Sequence, residues 1–284
     1  MKLDRIAILA PGLLGGSLAL AVRQRHPHIS LSIYARRPSV INEMKEACLD
    51  ADYFTDPILA IQNADLVVFC MTIDAMPAIA KRIRQGFKEN AIVTDVGSVK
   101  ERLDQEMQKI FENPEAPTVR WIGGHPMAGG EKTGFGAAHA TLFESSTTIL
   151  TPTEHSDTEA LLFLKEFWSS LGSKVLLCTP HEHDQRVAQI SHLTHLTASA
   201  LVHSVSAESI EARGPGFRDT TRVAAGSPLM WTEILLQNKE AVLDAIQRLQ
   251  RELSTIESHL QNSETKKITH WLEKSAEIRS RLNY

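Results

Sequence analysis

A histidine between two pairs of glycines is the residue of this chain best suited to chemistry. The segment Gly124-His125-Pro126-Met127-Ala128-Gly129-Gly130-Glu131-Lys132 follows a short apolar run, Trp121-Ile122. An imidazole can act as a general acid or base near neutral pH, and glycines let a backbone and a ligand approach closely. We therefore expect His125 to be presented to a ligand. The alternative is a glycine-rich turn in which the histidine is incidental.

A second pair of histidines lies in Ser191-His192-Leu193-Thr194-His195. Residues three positions apart share one face of a helix. Such a pair can ligate a metal, but no cluster of Asp or Glu accompanies it at the usual spacing, so we expect no metal. We expect one histidine to pack in the interior and the other to face a cleft.

Two arginines four positions apart follow a glycine hinge, in Gly214-Pro215-Gly216-Phe217-Arg218-Asp219-Thr220-Thr221-Arg222. On one helical face, Arg218 and Arg222 could hold a carboxylate through charge-assisted hydrogen bonds. The alternative is ordinary charge on a helix surface.

The N-terminal region carries a glycine pattern typical of dinucleotide binding. A predicted strand over residues 5–9 leads through Ala10-Pro11-Gly12-Leu13-Leu14-Gly15 into a predicted helix over residues 16–25. In this fingerprint the middle glycine lets the backbone approach a pyrophosphate, and the last lets helix pack on strand. Gly12 and Gly15 fill these positions. Ala10 replaces the first glycine, which requires a turn with negative φ there.

Two consecutive arginines follow the second predicted strand, in Tyr34-Ala35-Arg36-Arg37-Pro38. An NAD-binding protein usually carries an acidic residue here, about 20 residues past the glycines, to bond the ribose hydroxyls. No carboxylate stands at this position, and two guanidinium groups suit a 2'-phosphate. We therefore predict NADP as the cofactor, with NAD as the alternative. The arginines could also be a solvated surface pair.

Ser98 follows the predicted strand over residues 91–95, on the side where open α/β sheets bind ligands. The segment Ser98-Val99-Lys100-Glu101 also matches a capping box for the next helix. A site role and a capping role are compatible, and we expect both.

Alternating strands and helices surround these motifs and predict a parallel sheet. The strands are predicted over residues 5–9, 31–34, 64–70 and 91–95, and the helices over residues 16–25, 40–48, 76–85 and 99–111. Strands over residues 147–150 and 174–178, with a helix over residues 158–171 between them, complete this domain. From His181 the apolar spacing is wholly helical. We predict an α/β Rossmann-type domain over residues 1–180 and an all-α domain over residues 181–284.

The composition excludes several classes of protein. The 284 residues are 43% hydrophobic and 23% charged, enough for two domains with substantial cores. A net charge of -4 gives no support for nucleic-acid binding. The odd, widely spaced cysteines Cys48, Cys70 and Cys178 fit neither a disulfide framework nor a zinc motif, so we expect them to be reduced.

The uncharged stretch over residues 6–22 could pass for a signal peptide. Asp4 interrupts its basic flank, and Pro11 and the glycines break the apolar run, so a strand, a turn and a helix explain it better. No other apolar run approaches the length of a membrane span. We expect a cytoplasmic protein with no membrane role.

Together these motifs resemble the prephenate and arogenate dehydrogenases of tyrosine biosynthesis, over essentially the whole chain. The matching segments occur in the order and spacing of that family: Ala10-Pro11-Gly12-Leu13-Leu14-Gly15-Gly16-Ser17, Asp95-Val96-Gly97-Ser98-Val99-Lys100, Gly124-His125-Pro126-Met127-Ala128-Gly129, Ser191-His192-Leu193-Thr194-His195, and Phe217-Arg218-Asp219-Thr220-Thr221-Arg222 followed by Met230-Trp231.

The resemblance implies a role for each residue of the site. His125 would polarise the ring hydroxyl of the substrate and take its proton while the carbon C4 delivers a hydride to the nicotinamide. Ser98 would bond that histidine or the same hydroxyl, and Arg222 would hold a substrate carboxylate. The other residues expected at the substrate are His195, His192, Trp231, Gly130 and Glu131. Those expected at the cofactor are Gly12, Leu13, Leu14, Gly15, Arg36, Arg37, Thr72 and Asp95.

The implied function is oxidative decarboxylation of prephenate to 4-hydroxyphenylpyruvate with hydride transfer to NAD(P), in a homodimer formed by the C-terminal domain. Gly130 stands where many relatives carry threonine or another polar residue, which leaves open an arogenate dehydrogenase that makes tyrosine directly. Two rivals are another two-domain NADP dehydrogenase, of the β-hydroxyacid or imine-reducing kind, and a non-catalytic NADP sensor or structural dimer. The Gly-His-Pro segment argues against the first. The second has no need of His125, Ser98 and Arg222 together.

Overall fold

Six parallel strands form the main sheet of the computed structural model, which describes residues 3–130 and 132–282. The strand order is β3-β2-β1-β4-β5-β6, the order of dinucleotide-binding folds. Its strands are β1 (Arg5–Leu9), β2 (Ser30–Tyr34), β3 (Asp52–Phe54), β4 (Leu66–Phe69), β5 (Ala91–Asp95) and β6 (Val119–Trp121). The helices between them are α1 (Leu13–Arg25), α2 (Pro38–Glu46), α3 (Pro57–Ile61), α4 (Ala75–Ile83) and α5 (Glu101–Phe111). The predicted Rossmann-type fold is confirmed.

Helices cover both faces of this sheet, which explains why its central strands are continuous apolar runs. Ile6 and Ile8 of β1 point to one face, where α1, α2 and a later helix, α6 (Thr158–Ser170), pack. Ala7 and Leu9 point to the other face and pack with α3, α4 and α5. The two apolar layers clamp β1 and β4 in place, and the loops at their carboxyl ends are thereby positioned.

A smaller, separate sheet was not foreseen from the sequence. It contains β7 (Gly123–Met127), β8 (Thr147–Thr151) and β9 (Lys174–Leu177), with β7 and β8 antiparallel and β8 and β9 parallel. We predicted β8 and β9 but no strand over the glycine-rich segment around His125, for which a turn was the alternative. Its glycines and proline have poor strand propensity, yet β7 forms because the pairing with β8 supplies its hydrogen bonds.

The rest of the chain is helical, as predicted. The helices are α7 (Pro180–Val187), α8 (Leu193–Ser204), α9 (Ala207–Glu211), α10 (Pro215–Thr221), α11 (Pro228–Gln237), α12 (Lys239–Gln261) and α13 (Thr265–Ser280). A π-helical turn, Ala188–His192, joins α7 to α8, and a 3-10 turn, Arg222–Ala225, follows α10. Within residues 3–130 and 132–282, no helix is long and apolar enough to cross a membrane.

The chain divides into two compact units, one ending at Asn238 and one beginning at Lys239. The first unit contains both sheets and the helices through α11, and the second consists of α12 and α13. All side chains of the candidate site that the structure describes lie in the first unit. The functional division at residue 180 stays a prediction.

Candidate active site

The glycine turn lies between β1 and α1, where the strand order reverses at the β1–β4 pair. A Cβ added at Gly12 would meet no atom within 4 Å, so the space before the helix is open to a ligand. A Cβ at Gly15 would lie 2.9 Å from Cys70 Cβ and 3.0 Å from the Ala10 carbonyl oxygen. Gly12 therefore leaves space for a ligand in front of helix α1. Gly15 permits close packing of α1 against the residues that follow β1 and β4.

Ala10 does not have the backbone conformation that we expected. Its φ is +68°, in the left-handed region that favours glycine. The expectation of a negative φ is wrong, because Gly12 N–H bonds the Ala10 carbonyl at 2.9 Å and Ala10 N–H bonds Tyr34 O at 2.9 Å. These two bonds hold the turn in the fingerprint geometry even without the first glycine.

The other residues predicted at the cofactor have different surroundings. Arg36 and Arg37 are exposed just beyond β2, and Thr72 is exposed just beyond β4. All three thus lie at the edge of the sheet where the parallel strands end, as Gly12 does. Leu13 and Leu14 open α1 and are half-buried.

Asp95, in contrast, has no exposed surface. Its carboxylate accepts N–H bonds from Gly97 at 2.7 Å and from Gly124 at 3.0 Å, and it forms an ion pair with the ammonium of Lys100. Lys100 also donates to Gly124 O at 2.8 Å. We expected Asp95 to contact the cofactor, but its side chain is committed to anchoring β7 beside the end of β5.

His125 lies at the centre of β7, opposite Ile149 of β8, and is 8% exposed. The glycines before it pack tightly: a Cβ at Gly123 would lie 2.5 Å from Thr151 Oγ1, and one at Gly124 would lie 2.8 Å from Asp95 O. Our interpretation that this pair makes room for a ligand is therefore wrong. Gly129 and Gly130, which follow the strand, are the open pair.

His125 is the first member of a buried hydrogen-bonded chain. Its Nδ1 lies 2.8 Å from His183 Nε2, and His183 Nδ1 lies 2.7 Å from Asp184 Oδ1. Burial, with the nearby His183, Lys100 and His192, lowers the pKa of His125 well below its usual range. Burial likewise lowers the pKa of His183 to about 2. Both imidazoles are neutral at physiological pH, which is the state of a general base.

Asp184 also caps helix α5. Its two carboxylate oxygens accept the N–H groups of Lys100 at 2.8 Å and Glu101 at 2.9 Å. The predicted capping box is therefore wrong, since a carboxylate from α7 takes the N–H groups that Ser98 would have served. Ser98 is half-buried in the loop between β5 and α5, directly after the Asp95 anchor.

His192 and His195 flank the indole of Trp231. His195 stacks on it with ring centroids 3.8 Å apart, and His192 meets it edge-on at 6.1 Å. Asn238 Nδ2 donates to Asp184 O at 2.8 Å and lies 3.2 Å from His192 Nδ1. An amide nitrogen can only donate, so His192 Nδ1 accepts and its proton is on Nε2, which is buried with no partner among the described residues. Burial lowers the pKa of His192 to about 4, consistent with this neutral form.

The remaining predicted residues lie at the surface. Arg218 and Arg222 are exposed on α10 and on the 3-10 turn after it. Gly130 is exposed beyond β7, and Glu131 lies outside the described residues. In the described part of the chain, no three His, Cys, Asp or Glu side chains are grouped so that they could hold a metal ion.

Sequence reasoning missed four residues of this network: Lys100, His183, Asp184 and Asn238. A signal existed for two of them, because His183-Asp184 and Val187 form one apolar-spaced face of α7, and adjacent ionisable residues rarely occupy a buried face unless paired. Lys100 and Asn238 carried no such signal. Apart from Asp95, five residues before Lys100, their partners lie 24 to 84 residues away along the chain.

A parallel sheet of this order with a glycine turn at its switch point, joined to helices that carry buried neutral histidines, defines a nucleotide-dependent dehydrogenase. Two family models agree with this class: the nucleotide-binding domain of prephenate dehydrogenase matches residues 18–177, and its dimerization domain matches residues 179–274. The chain belongs to the prephenate dehydrogenase family.

Known proteins of this family are similar over nearly the whole chain. A cyclohexadienyl dehydrogenase of Zymomonas mobilis is 33% identical, over 85% of this chain and 83% of the relative. A prephenate dehydrogenase from A. aeolicus, solved with hydroxyphenyl propionate and NAD+, has a TM-score of 0.91 at 29% identity and covers 100% of this chain and 99% of its own. The Synechocystis arogenate dehydrogenase has a TM-score of 0.84 at 30% identity and covers 98% and 100%.

Proposed function

We propose that this chain oxidises and decarboxylates prephenate to 4-hydroxyphenylpyruvate, a step of tyrosine biosynthesis. The observation that carries the proposal is the buried, neutral His125 at the end of a hydrogen-bonded chain, in a fold built to bind a dinucleotide. A neutral imidazole with one nitrogen committed to a partner has its other nitrogen available for a proton. The reaction needs such a group at the ring hydroxyl.

In the proposed reaction, His125 takes the hydroxyl proton as the C4–H bond breaks with its electron pair and the C4–O bond gains double-bond character. The nicotinamide, when bound, supplies the hydride acceptor. The bond from C1 to the carboxylate then breaks, its electrons complete the aromatic ring, carbon dioxide leaves, and the phenolic oxygen regains a proton. Ser98 is proposed to bond the hydroxyl or His125, and Arg222 to hold a substrate carboxylate.

The residues of the glycine turn fit a dinucleotide. Gly12 leaves open space in front of α1, a helix of 13 residues whose first N–H groups favour an anion. Leu13, Leu14 and Thr72 lie at the same edge of the sheet. We propose that this turn holds the pyrophosphate.

NADP is the proposed cofactor, with NAD as the alternative. Arg36 and Arg37 are exposed beyond β2, where a 2'-phosphate on the adenine ribose would lie. Guanidinium groups bind phosphate by paired, charge-assisted hydrogen bonds. The A. aeolicus structure was solved with NAD+, which is the reason NAD is the alternative.

Arogenate is the second candidate substrate, because relatives of similar identity include an arogenate dehydrogenase. The two substrates differ only in a keto or amino group on the side chain. We propose that His195, His192, Trp231 and the segment at Gly130 and Glu131 contact the substrate. Gly130 has no side chain to bond an ammonium group, and for that reason prephenate is preferred.

We also propose a homodimer formed through the C-terminal helices. The matched dimerization domain extends over residues 179–274. Large apolar side chains of α12 and α13 are exposed in the single chain: Leu243, Leu253, Leu260, Leu272 and Ile278. Sedimentation equilibrium should give twice the chain mass. A cytoplasmic location is proposed because the three cysteines are free thiols.

The test is a spectrophotometric assay of reduced cofactor, crossing prephenate and arogenate with NADP and NAD. We expect the highest kcat/KM for prephenate with NADP. Replacing both Arg36 and Arg37 by alanine should raise KM for NADP and leave KM for NAD unchanged. Absence of turnover in all four combinations would refute the proposed function, and equal effects of the double variant on both cofactors would refute the phosphate contacts.

His125→Asn supplies the mechanistic test. Asparagine keeps a polar group near the same position but has no basic nitrogen, so kcat should fall by about 100- to 10,000-fold while substrate binding changes little. His155→Asn, at an exposed histidine of the same chain, is the matched control. An unchanged kcat in His125→Asn would remove His125 from the mechanism.

A further inference from the structure

We propose that His183 and Asp184 are positioning residues, which hold His125 in the single tautomer that leaves its Nε2 unprotonated and able to take a proton. The expected effect on catalysis rests on the proposed function. The tautomer itself is a property of the protein without substrate.

The argument begins at Asp184, whose carboxylate is surrounded by donors. It accepts N–H groups from Lys100 at 2.8 Å and Glu101 at 2.9 Å, both at the start of α5. Burial raises the pKa of the Asp184 carboxyl, but these donors, the Lys100 charge and the helix N-terminus act in the opposite direction and favour the carboxylate. An ionised carboxylate can only accept hydrogen bonds. The third contact, from His183 Nδ1 at 2.7 Å, must therefore be an N–H that His183 donates.

The protonation of His183 then determines that of His125. His183 has no exposed surface and its pKa is lowered to about 2 by burial, with Lys100 and His192 as nearby positive or protonatable groups. A neutral imidazole carries one N–H. Since that proton is on Nδ1, His183 Nε2 is a bare acceptor, and the 2.8 Å contact requires His125 Nδ1 to donate to it.

His125 is itself neutral, because burial lowers its pKa well below the usual range. With its one proton on Nδ1, its Nε2 holds a free electron pair. No described hydrogen bond in the protein uses Nε2, and the residue is 8% exposed. The order of donors from His125 through His183 to Asp184 thus leaves Nε2 as the basic nitrogen of His125.

The charges around these three hydrogen-bonded residues favour the same order of donors, from His125 to Asp184. Lys100 is paired with Asp95, so its positive charge is largely offset, and Asp184 provides the negative charge at the inner end. His192, on the π-helical turn, is neutral with a pKa of about 4. When His125 takes a proton at Nε2, its Nδ1–H bond to His183 strengthens, and Asp184 stabilises the resulting cation through His183. A carboxylate plays the same part for the imidazole of a Ser-His-Asp triad.

The decisive experiment is ¹⁵N NMR of histidine-labelled protein at pH 7.5, with wild type, Asp184→Asn, His183→Leu and His183→Gln. The ring nitrogen shifts report which nitrogen carries the proton. We expect His125 as the Nδ1–H tautomer in wild type. His183→Gln should preserve it, because the glutamine amide can donate to Asp184 and its oxygen can accept from His125.

Asp184→Asn should remove the fixed order of donors. In one orientation its amide oxygen still accepts from His183 and Lys100 and its NH2 group faces the Glu101 N–H; in the other its NH2 group donates to His183 Nδ1, which moves the His183 and His125 protons to Nε2. We expect a mixture of the two His125 tautomers. His183→Leu should leave His125 without a fixed tautomer. His125 found with its proton on Nε2 in wild type would overturn the proposal.

Kinetics provide the second readout. Asp184→Asn and His183→Leu should lower kcat by about 10- to 100-fold, as removal of an orienting partner does at other sites, with KM changed by less than about 2-fold. His183→Gln should retain most of kcat. His181→Gln is the control, since His181 lies on the same helix, is exposed and pairs with Glu101 rather than with the buried network.

The outcomes separate the two proposals. The positioning role is supported if a variant has a lower kcat and a changed His125 tautomer but unfolds at the wild-type temperature. Loss of kcat in proportion to loss of thermal stability, with the His125 tautomer unchanged, would show a structural role only and overturn it. If wild type turns over neither substrate, the proposed function fails, and the tautomer measurement still decides the inference.

Discussion

Lys100 and Asp95 form an ion pair that is almost completely buried, with side chains 1% and 0% exposed. Both side chains also bond Gly124: the Lys100 ammonium donates to the Gly124 carbonyl, and the Asp95 carboxylate accepts the Gly124 N–H. Gly124 directly precedes His125, so this pair sets the position of the proposed base relative to the ligand-binding edge of β5. The position of the proposed base therefore depends on two buried charges.

Lys100→Met should destabilise the protein by about 3–5 kcal/mol, because it leaves Asp95 as an uncompensated buried charge. Adding Asp95→Asn should recover part of that loss. Urea denaturation gives both values. Arg102→Met, which breaks an exposed pair with Glu106 on the same helix, is the control and should cost no more than about 1 kcal/mol. Equal effects of Lys100→Met and Arg102→Met would contradict this account of the pair.

Two glycines of the same turn should respond differently to alanine. Gly15→Ala should destabilise the protein by about 1–3 kcal/mol, because the new Cβ would lie 2.9 Å from Cys70 Cβ and 3.0 Å from a backbone oxygen. Gly12→Ala meets no atom within 4 Å and should change stability by no more than about 0.5 kcal/mol.

Gly12→Ala should instead weaken dinucleotide binding by about tenfold or more, a loss of at least about 1.4 kcal/mol, because the methyl group would occupy the space of the pyrophosphate. Isothermal titration of the cofactor measures this change, and urea denaturation measures the stability of both variants. Wild-type affinity in a folded Gly12→Ala protein would show that the turn does not hold the pyrophosphate.

The sequence predicted the four inner strands of the main sheet, because their information is local, but not the short edge strands β3 and β6. Strands β1 and β5 have the predicted bounds, Arg5–Leu9 and Ala91–Asp95, since continuous apolar runs between polar turns define them. The glycine turn was found from its spacing. Its backbone was not, because the positive φ of Ala10 depends on a hydrogen bond to Tyr34 in another strand.

The site itself depends on contacts between distant parts of the chain. Ser98 and Glu101 matched a capping box, but Asp184 reaches the same N–H groups from more than 80 residues away. The strand character of the His125 segment comes from its pairing with β8 and from the Asp95–Lys100 anchor, not from its own glycines and proline. Local patterns therefore singled out His125 as a candidate and could not identify what holds it.

Ala10→Gly should stabilise the protein by about 1 kcal/mol, because glycine has no Cβ penalty at the observed φ of +68°. Thermal and urea unfolding provide the measurement. Ala47→Gly is the matched control: this exposed alanine has a φ of -76°, so glycine there should only cost stability. A destabilised Ala10→Gly protein would contradict the left-handed turn.

Acid should destabilise the protein through its buried histidines. Burial lowers the pKa of His192 to about 4 and that of His183 to about 2 from a value of 6.5. Below pH 6.5 the unfolded chain therefore binds protons that the folded chain does not, and the free energy of unfolding falls by up to about 1.4 kcal/mol per pH unit for each histidine. The loss from His192 levels off below about pH 4, and that from His183 below about pH 2.

Urea denaturation between pH 7.5 and pH 5 measures this dependence. His192→Gln should make it shallower, because one titrating group is removed. His155→Gln, at an exposed histidine, should leave the slope at the wild-type value. Identical slopes for wild type and His192→Gln would show that His192 is not held neutral by burial.

Asn238 should control which hydrogen bond His192 can offer a ligand. Its amide donates to Asp184 O and to His192 Nδ1, and so keeps the His192 proton on the otherwise unpartnered Nε2. Asn238→Leu removes that constraint and one of the donors to the Asp184 carbonyl, which keeps the Ala188 N–H, so it should cost about 0.5–1.5 kcal/mol.

Because His192 would then no longer present a fixed N–H donor, KM for the substrate should rise by about 10-fold, the equivalent of one hydrogen bond of about 1.4 kcal/mol. The change in kcat should be smaller, since the chain from His125 to Asp184 uses the Asp184 side chain and Asn238 contacts its backbone oxygen. Steady-state kinetics separates the two parameters, with Asn262→Leu, at an exposed amide, as the control. A fall in kcat at unchanged KM would instead indicate that Asn238 acts through Asp184 on His125.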